Sequence, residues 1–231
     1  MKYYRFSESS ELKVIGSDYP QIREYRDSYD ADAPDSIYNF ASNGVSEITP
    51  NLDCFVLSKG AKVTDILSCV YVSNGFIISD KLKDVFEKLT LPAHKMWPIH
   101  LYHKKKKILN YNWFYYLFNV EKFVDFDNSI FYKYNIPHEK SGYIKISNYW
   151  EYQVLAAKLR YRPPYDIRKK SQFIGIEKLV FNKEFDQSLD LFELLPFSAT
   201  TFISERFKIL LEESNLTGFT IRENTIEFVF T

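Results

Sequence analysis

One segment limits the fold more than any other. From Tyr111 to Asn119 the chain reads Tyr-Asn-Trp-Phe-Tyr-Tyr-Leu-Phe-Asn. Side chains of a strand alternate between its two faces, so a strand with an unbroken apolar and aromatic run, as from Trp113 to Phe118, is apolar on both. Such a strand sits inside a sheet that is covered on both sides. The chain must therefore supply neighbouring strands and two covering layers. At 231 residues and 45% hydrophobic, with 20 Phe and 18 Tyr, it has the material, as one large domain or two small lobes. The spacing around this segment gives an α+β reading of mainly antiparallel sheet with a few amphipathic helices.

Two helices are written strongly. Apolar residues at 82, 85, 86 and 89 form one stripe behind Ser79, a good N-cap, with Asp80 and Asp84 near the positive end of the helix. The second runs from Ser204 to Ser214, with Phe207, Leu210 and Leu211 inward. The spacing thus predicts helices near 79–89 and 204–214. The two starts resemble each other: Ile78-Ser79-Asp80-Lys81-Leu82-Lys83 aligns with Ile203-Ser204-Glu205-Arg206-Phe207-Lys208. Either the chain contains two similar lobes, or both segments show the common form of a well-capped helix.

Strands are expected at Tyr3–Phe6, Cys54–Leu57, Met96–Tyr102, Gly142–Ser147, Phe173–Phe181 and Leu189–Leu195. The lysines at 104–107 suit a hairpin turn. Thr64-Asp65 is read as opening a short helix through Val70, and Tyr149–Leu159 as another. Gly218–Arg222 and Thr225–Phe230 are read as a terminal hairpin around Glu223-Asn224.

Charge is balanced overall, with 30 basic and 30 acidic residues, which argues against a strongly basic nucleic-acid binder. It is not balanced locally. Between Glu24 and Asp53 there are seven carboxylates against one base, Arg26. Tyr25, Tyr29 and Tyr38 are interleaved with Asp27, Asp30, Asp32 and Asp35. Aromatic anchors among like charges suit a docking face for a basic partner, since charge steers encounter and Tyr contributes binding energy. The same pattern also fits a solvated loop. From Lys158 to Lys170 six bases face one acid, Asp166; Arg160, Arg162, Arg168, Lys169 and Lys170 could neutralise phosphates, with Lys104–Lys107 beside them.

Catalytic and cofactor motifs do not stand out, and no cofactor or metal is expected. The glycines form no phosphate-binding loop and no nucleophile elbow. His100 and His103 fall on an expected strand, where residues three apart face opposite sides. Asp125 and Asp127 share one strand face but also fit a turn before Asn128-Ser129. An enzyme using Asp125, Asp127 and a histidine is the least favoured reading. Cys54 and Cys69 match no disulfide, zinc or redox pattern and are expected as reduced thiols. The opening residues have no apolar core of signal-peptide length, and no window suits a membrane span. A cytoplasmic protein is expected.

Several segments in order resemble a known family. They are Gly75–Lys83; Met96-Trp97-Pro98-Ile99; Tyr115–Val120 with Val124–Ser129; Leu191–Leu194; Ile203–Lys208; and Leu216-Thr217-Gly218-Phe219. Together they are similar to the bacterial polymorphic-toxin immunity proteins of the eleventh and forty-third numbered immunity families. The likeness spans 75–231 of what is read as one domain, 1–231, with 1–74 less typical. It implies a non-enzymatic antidote that binds a cognate toxin protein, with no membrane role and with nucleic acid the less favoured partner. The matching motifs read as caps, central strands and turns. Toxin contacts are therefore expected elsewhere, at Tyr25, Asp27, Tyr29, Asp30, Asp32, Asp35 and Tyr38.

Overall fold

A computed structural model of the chain describes residues 2–40, 49–72, 74–104, 106–135, 139–160 and 171–231. The strands are β1 (Tyr3–Glu8), β2 (Ile22–Tyr25), β3 (Phe55–Leu57), β4 (Ile66–Leu67), β5 (Phe76–Ser79), β6 (His94–His103), β7 (Lys106–Tyr116), β8 (Val124–Asn135), β9 (Glu139–Ile144), β10 (Gln172–Phe181), β11 (Leu191–Glu193), β12 (Thr201–Ser204), β13 (Phe219–Glu223) and β14 (Glu227–Phe230). The helices are α1 (Leu12–Ile15), α2 (Asp80–Phe86), α3 (Tyr149–Arg160) and α4 (Glu205–Glu213). The fold is α+β. The chain divides into two compact units, Met1–Phe118 with Ser188–Glu223, and Asn119–Gln187 with Asn224–Thr231.

The first unit holds a six-stranded sheet in the order β2-β3-β6-β7-β5-β4 and a four-stranded sheet in the order β11-β12-β1-β13. Within these sheets only β3 and β6 run parallel. β7 lies inside its sheet, between β6 and β5, and the doubly apolar segment explains why. Trp113 and Tyr115 enter one core with Ile22, Phe40 and Phe55. Phe114 and Tyr116 point the other way, into a second core with α2 and α4. All four side chains are buried, and each large ring so placed stabilises the fold by about 2–3 kcal/mol. Gly75 lets β5 approach β7: a Cβ there would lie 1.8 Å from the Phe114 carbonyl oxygen. The turn between β6 and β7 is tighter than the four lysines suggest: Lys104 adopts φ 49°, while Lys106 and Lys107 already pair with His103 and Tyr102 as the start of β7.

Both capped helices form as the spacing predicts. The Ser79 hydroxyl accepts the Leu82 N–H and the Ser204 hydroxyl accepts the Phe207 N–H. The Thr64–Val70 helix does not form. Ile66 and Leu67 are both buried, which a two-residue strand beside β5 achieves by sending them to opposite cores. The terminal hairpin does not form either. β13 pairs antiparallel with β1, whereas β14 pairs parallel with β10 in the other unit. The loop signal at Glu223-Asn224 therefore marks where the chain leaves one unit for the other.

The second unit is one sheet, β14-β10-β8-β9, with α3 buried through Tyr152. Asp125 bonds its own backbone as expected, its carboxylate accepting the Asn128 N–H at 3.2 Å. That bond sits in a bulge within β8 rather than in a turn ahead of a strand, because the β8–β10 register slips between Asp125 and Ile130.

Candidate partner-binding face

Residues 26–40 are fixed by alternation. Ile37 and Phe40 are buried in the core of the six-stranded sheet, and a single 3-10 turn over Ile37–Phe40 leaves Tyr38 between them, 45% exposed. The Tyr115 hydroxyl donates to the Phe40 carbonyl at 3.3 Å, and the Phe40 ring packs against Trp97 at 6.1 Å. Asp30 accepts the Asp32 N–H at 3.0 Å, and the Asp35 carbonyl accepts the Asn51 N–H at 2.8 Å. Such local bonds hold a chain in place without helix or sheet.

The three tyrosines named from the sequence meet, and a fourth joins them. Tyr25 lies 5.2 Å from Tyr29, 6.3 Å from Tyr38 and 4.7 Å from Tyr71, ring centre to ring centre. Their hydroxyls are held. Tyr38 donates to the Tyr25 oxygen at 3.1 Å. Tyr29 donates to the Ser36 hydroxyl at 3.2 Å and accepts the Ile37 N–H at 2.7 Å. Tyr71 donates to the Arg23 carbonyl. Desolvation, then the bond with Tyr25, pushes the Tyr38 phenol well above its ordinary range. Desolvation also raises Tyr29 and Tyr71. The cluster is an uncharged aromatic plate. Tyr71 has no local marker in the sequence, since only the pairing of distant segments brings it here.

Among the described residues, no cation neutralises the acids on the same loop. Asp27, Asp30 and Asp32 are exposed and Asp35 half-buried. No described base lies within ion-pair distance of any of these four. The one local base is used elsewhere. Arg26 stacks 4.5 Å from the Tyr102 ring, donates to its hydroxyl at 3.0 Å and lies 3.6 Å from Asp53. Asp53 also receives the Tyr102 hydroxyl at 2.6 Å and lies 3.0 Å from His100 Nδ1 and 3.6 Å from Lys107. The Tyr102 bond, and after it His100 and Lys107, hold its carboxyl below the usual range. So Asp53 belongs to a neutralised cluster, while the four aspartates between Tyr25 and Tyr38 keep their field.

The other candidates do not converge. Arg160 ends α3 and is exposed, while Arg162, Arg168, Lys169 and Lys170 lie outside the described residues. His103 approaches the Lys59 carbonyl at 3.4 Å, away from the Asp53 partner of His100. Asp127 lies 3.8 Å from Lys145. Among the described residues no group of three His, Cys, Asp or Glu side chains could hold a metal ion. Cys54 and Cys69 are free thiols, both pushed up to about 12 by burial. Among the described residues no helix is long and apolar enough to cross a membrane.

A family model described as "Immunity protein family (Imm11)" matches residues 45–225. Among curated proteins, none matches the chain. The match begins after the tyrosine and aspartate loop at 25–38 and covers both capped helices and the doubly buried strand.

Proposed function

The chain belongs to the Imm11 immunity protein family, and from that premise we propose that it neutralises a cognate secreted toxin by tight binding in the cytoplasm and breaks no bonds itself. The toxin docks on the plate of Tyr25, Tyr29, Tyr38 and Tyr71 and the uncompensated Asp27, Asp30, Asp32 and Asp35. One observation carries the choice of face: beside packed tyrosines this loop keeps four carboxylates that no cation neutralises among the described residues, and the loop, unlike Tyr71, lies outside the part matched to the family. A scaffold shared by a family needs its caps and central strands; recognition of one particular toxin needs a surface of its own. Aromatic residues contribute at the desolvated centre of such a contact, and the acids accelerate encounter with a basic partner.

The test is co-expression with the toxin domain encoded beside this chain. Growth is rescued and the two proteins co-purify; failure of both refutes the immunity reading. Reversing Asp27, Asp30, Asp32 and Asp35 to Lys lowers the association rate by at least about tenfold at low salt and flattens its salt dependence. Stopped-flow rates that are unchanged across ionic strength would remove this face while leaving the immunity function intact.

A further inference from the structure

Inside the first unit one arrangement occurs twice. Ile78 and Ile203, like Ser79 and Ser204, stand 125 residues apart, and the strand pairing repeats at that offset. Ile66 faces Ile78 and Leu67 faces Ile77 in β4–β5; Leu191 faces Ile203 and Phe192 faces Phe202 in β11–β12. Ser79 (φ −69°, ψ 161°) and Ser204 (φ −67°, ψ 162°) share one backbone conformation. Each serine hydroxyl donates to an aspartate ahead of the paired strand, Asp65 at 2.8 Å and Asp190 at 2.6 Å. Each serine N–H returns to the carbonyl of that aspartate, at 2.8 and 2.9 Å.

The correspondence continues beyond the helices. In β6–β7, His94 faces Tyr116 and Met96 faces Phe114; in β13–β1, Phe219 faces Glu8 and Ile221 faces Phe6. β7 pairs with β5 through Tyr111–Ser79 and Phe114–Phe76, and β1 pairs with β12 through Tyr3–Ser204 and Phe6–Thr201. β1 thus holds in the second set the place that β7 holds in the first, although it comes from the opposite end of the chain. The two sets also clasp each other. Thr217, after α4, donates its N–H to Asp65 at 2.9 Å; Thr90, after α2, donates its N–H to Asp190 at 2.8 Å. The N–H groups of Ile66 and Asp190 return to the carbonyls of Thr217 and Thr90, at 3.1 and 2.7 Å.

A capped amphipathic helix arises readily on its own. It does not fix the register of four strands, an aspartate ahead of the cap, and a mutual exchange of backbone bonds. The exchange is reciprocal in kind but slips in register, since at the 125-residue offset Thr217 corresponds to Pro92 and Ile66 to Leu191; contacts in which each copy reaches for the other accompany a twofold axis. We infer that the first unit contains an internal duplication of a ββαββ module about a local twofold, and that its second copy is a permuted one, closed by β1. The core carries the same relation. Leu82 and Phe86 correspond to Phe207 and Leu211, and Phe86 meets Phe207 edge to face at 5.2 Å. Phe86 also meets Phe114 at 4.7 Å and Phe207 meets Phe6 at 5.8 Å, so each ring packs on the strand that holds the same place in its own copy, although the two rings sit at non-equivalent helix positions.

The axis makes a prediction that independent helices do not. In the full chain, Leu82→Phe with Phe86→Leu, or Phe207→Leu with Leu211→Phe, leaves the core mismatched. All four changes together restore the Phe–Phe contact across the axis, now between positions 82 and 211. Each half is expected to lower the melting temperature by about 10 °C, and the four-site chain to return within about 3 °C of the parent. A four-site loss equal to the sum of the halves, or a four-site chain that fails to fold where either half folds, overturns the inference. If neither half folds, amide exchange decides. Asp65→Ala is expected to speed exchange at Thr217, and Asp190→Ala at Thr90, each in the opposite module. Loosening confined to the mutated module in either variant overturns it.

Discussion

Asp190→Ala is expected to cost about 3–5 kcal/mol of folding stability, more than any change on the acidic loop. The Asp190 side chain is 2% exposed, whereas that of its partner Arg206 is 57% exposed. One carboxylate oxygen accepts the Ser204 hydroxyl at 2.6 Å and Arg206 Nε at 3.1 Å; the other accepts the Thr90 N–H at 2.8 Å and a second Arg206 nitrogen. Truncation leaves a buried hydroxyl and an amide without their acceptor and releases the cap of α4 at once. Orphaned buried groups carry the full desolvation cost, and the cap adds about 1 kcal/mol. The counterpart change, Asp65→Ala, removes the same kind of bonds at a half-buried site with no guanidinium beside it among the described residues, so about 1–2 kcal/mol is expected. Urea unfolding of the two variants should separate them clearly. Equal losses, or an Asp190→Ala loss under about 1 kcal/mol, would show that the buried network is not what holds α4.

Glu193→Gln should stabilise the protein, and only at neutral and alkaline pH. Glu193 closes β11 and is 8% exposed. Burial raises its carboxyl from 4.5 to about 7, and no described base lies within ion-pair distance of it. Below pH 4.5 both the folded and unfolded chains carry the proton, and the group contributes nothing to the balance. Between pH 4.5 and about 7 the unfolded chain ionises first, so stability falls as pH rises. Above about 7 the full cost applies, on the order of 3 kcal/mol. Glutamine removes the cost, so the gain should be absent at pH 4.5, intermediate near 6 and complete at 8. A gain of equal size at all three would show that packing rather than ionisation decides. Glu8, pushed by burial up to about 7 as well, adds a slope of the same sign.

What the sequence discloses follows from how local each determinant is. The two capped helices and the doubly buried strand, read at 111–119 and found at Lys106–Tyr116, are legible because a cap, a 3.6-residue stripe and a two-faced apolar run are written in adjacent residues. β4 is not legible. Its two residues are strand because distant partners bury both faces, and the cap-like Thr64-Asp65 serves a helix further along the chain. The hairpin expected at the end of the chain fails for a related reason: two good strands beside a turn are also the pattern of a chain crossing between sheets. Asp27, Asp30, Asp32 and Asp35 can be read as an acidic stretch, and Tyr25, Tyr29 and Tyr38 as its aromatics. Whether Arg26 neutralises that stretch depends on Asp53 and Tyr102, and the fourth tyrosine depends on residue 71 being brought alongside.

The position of β1 bears on how the molecule is made. β1 lies between β12 and β13, whose residues follow it in the chain by about 200 positions. At ordinary elongation rates Tyr4 and Phe6 wait roughly ten to forty seconds for their partners. Throughout that interval they remain an apolar, unpaired segment of a nascent polypeptide, and a chaperone has its longest opportunity to engage them there.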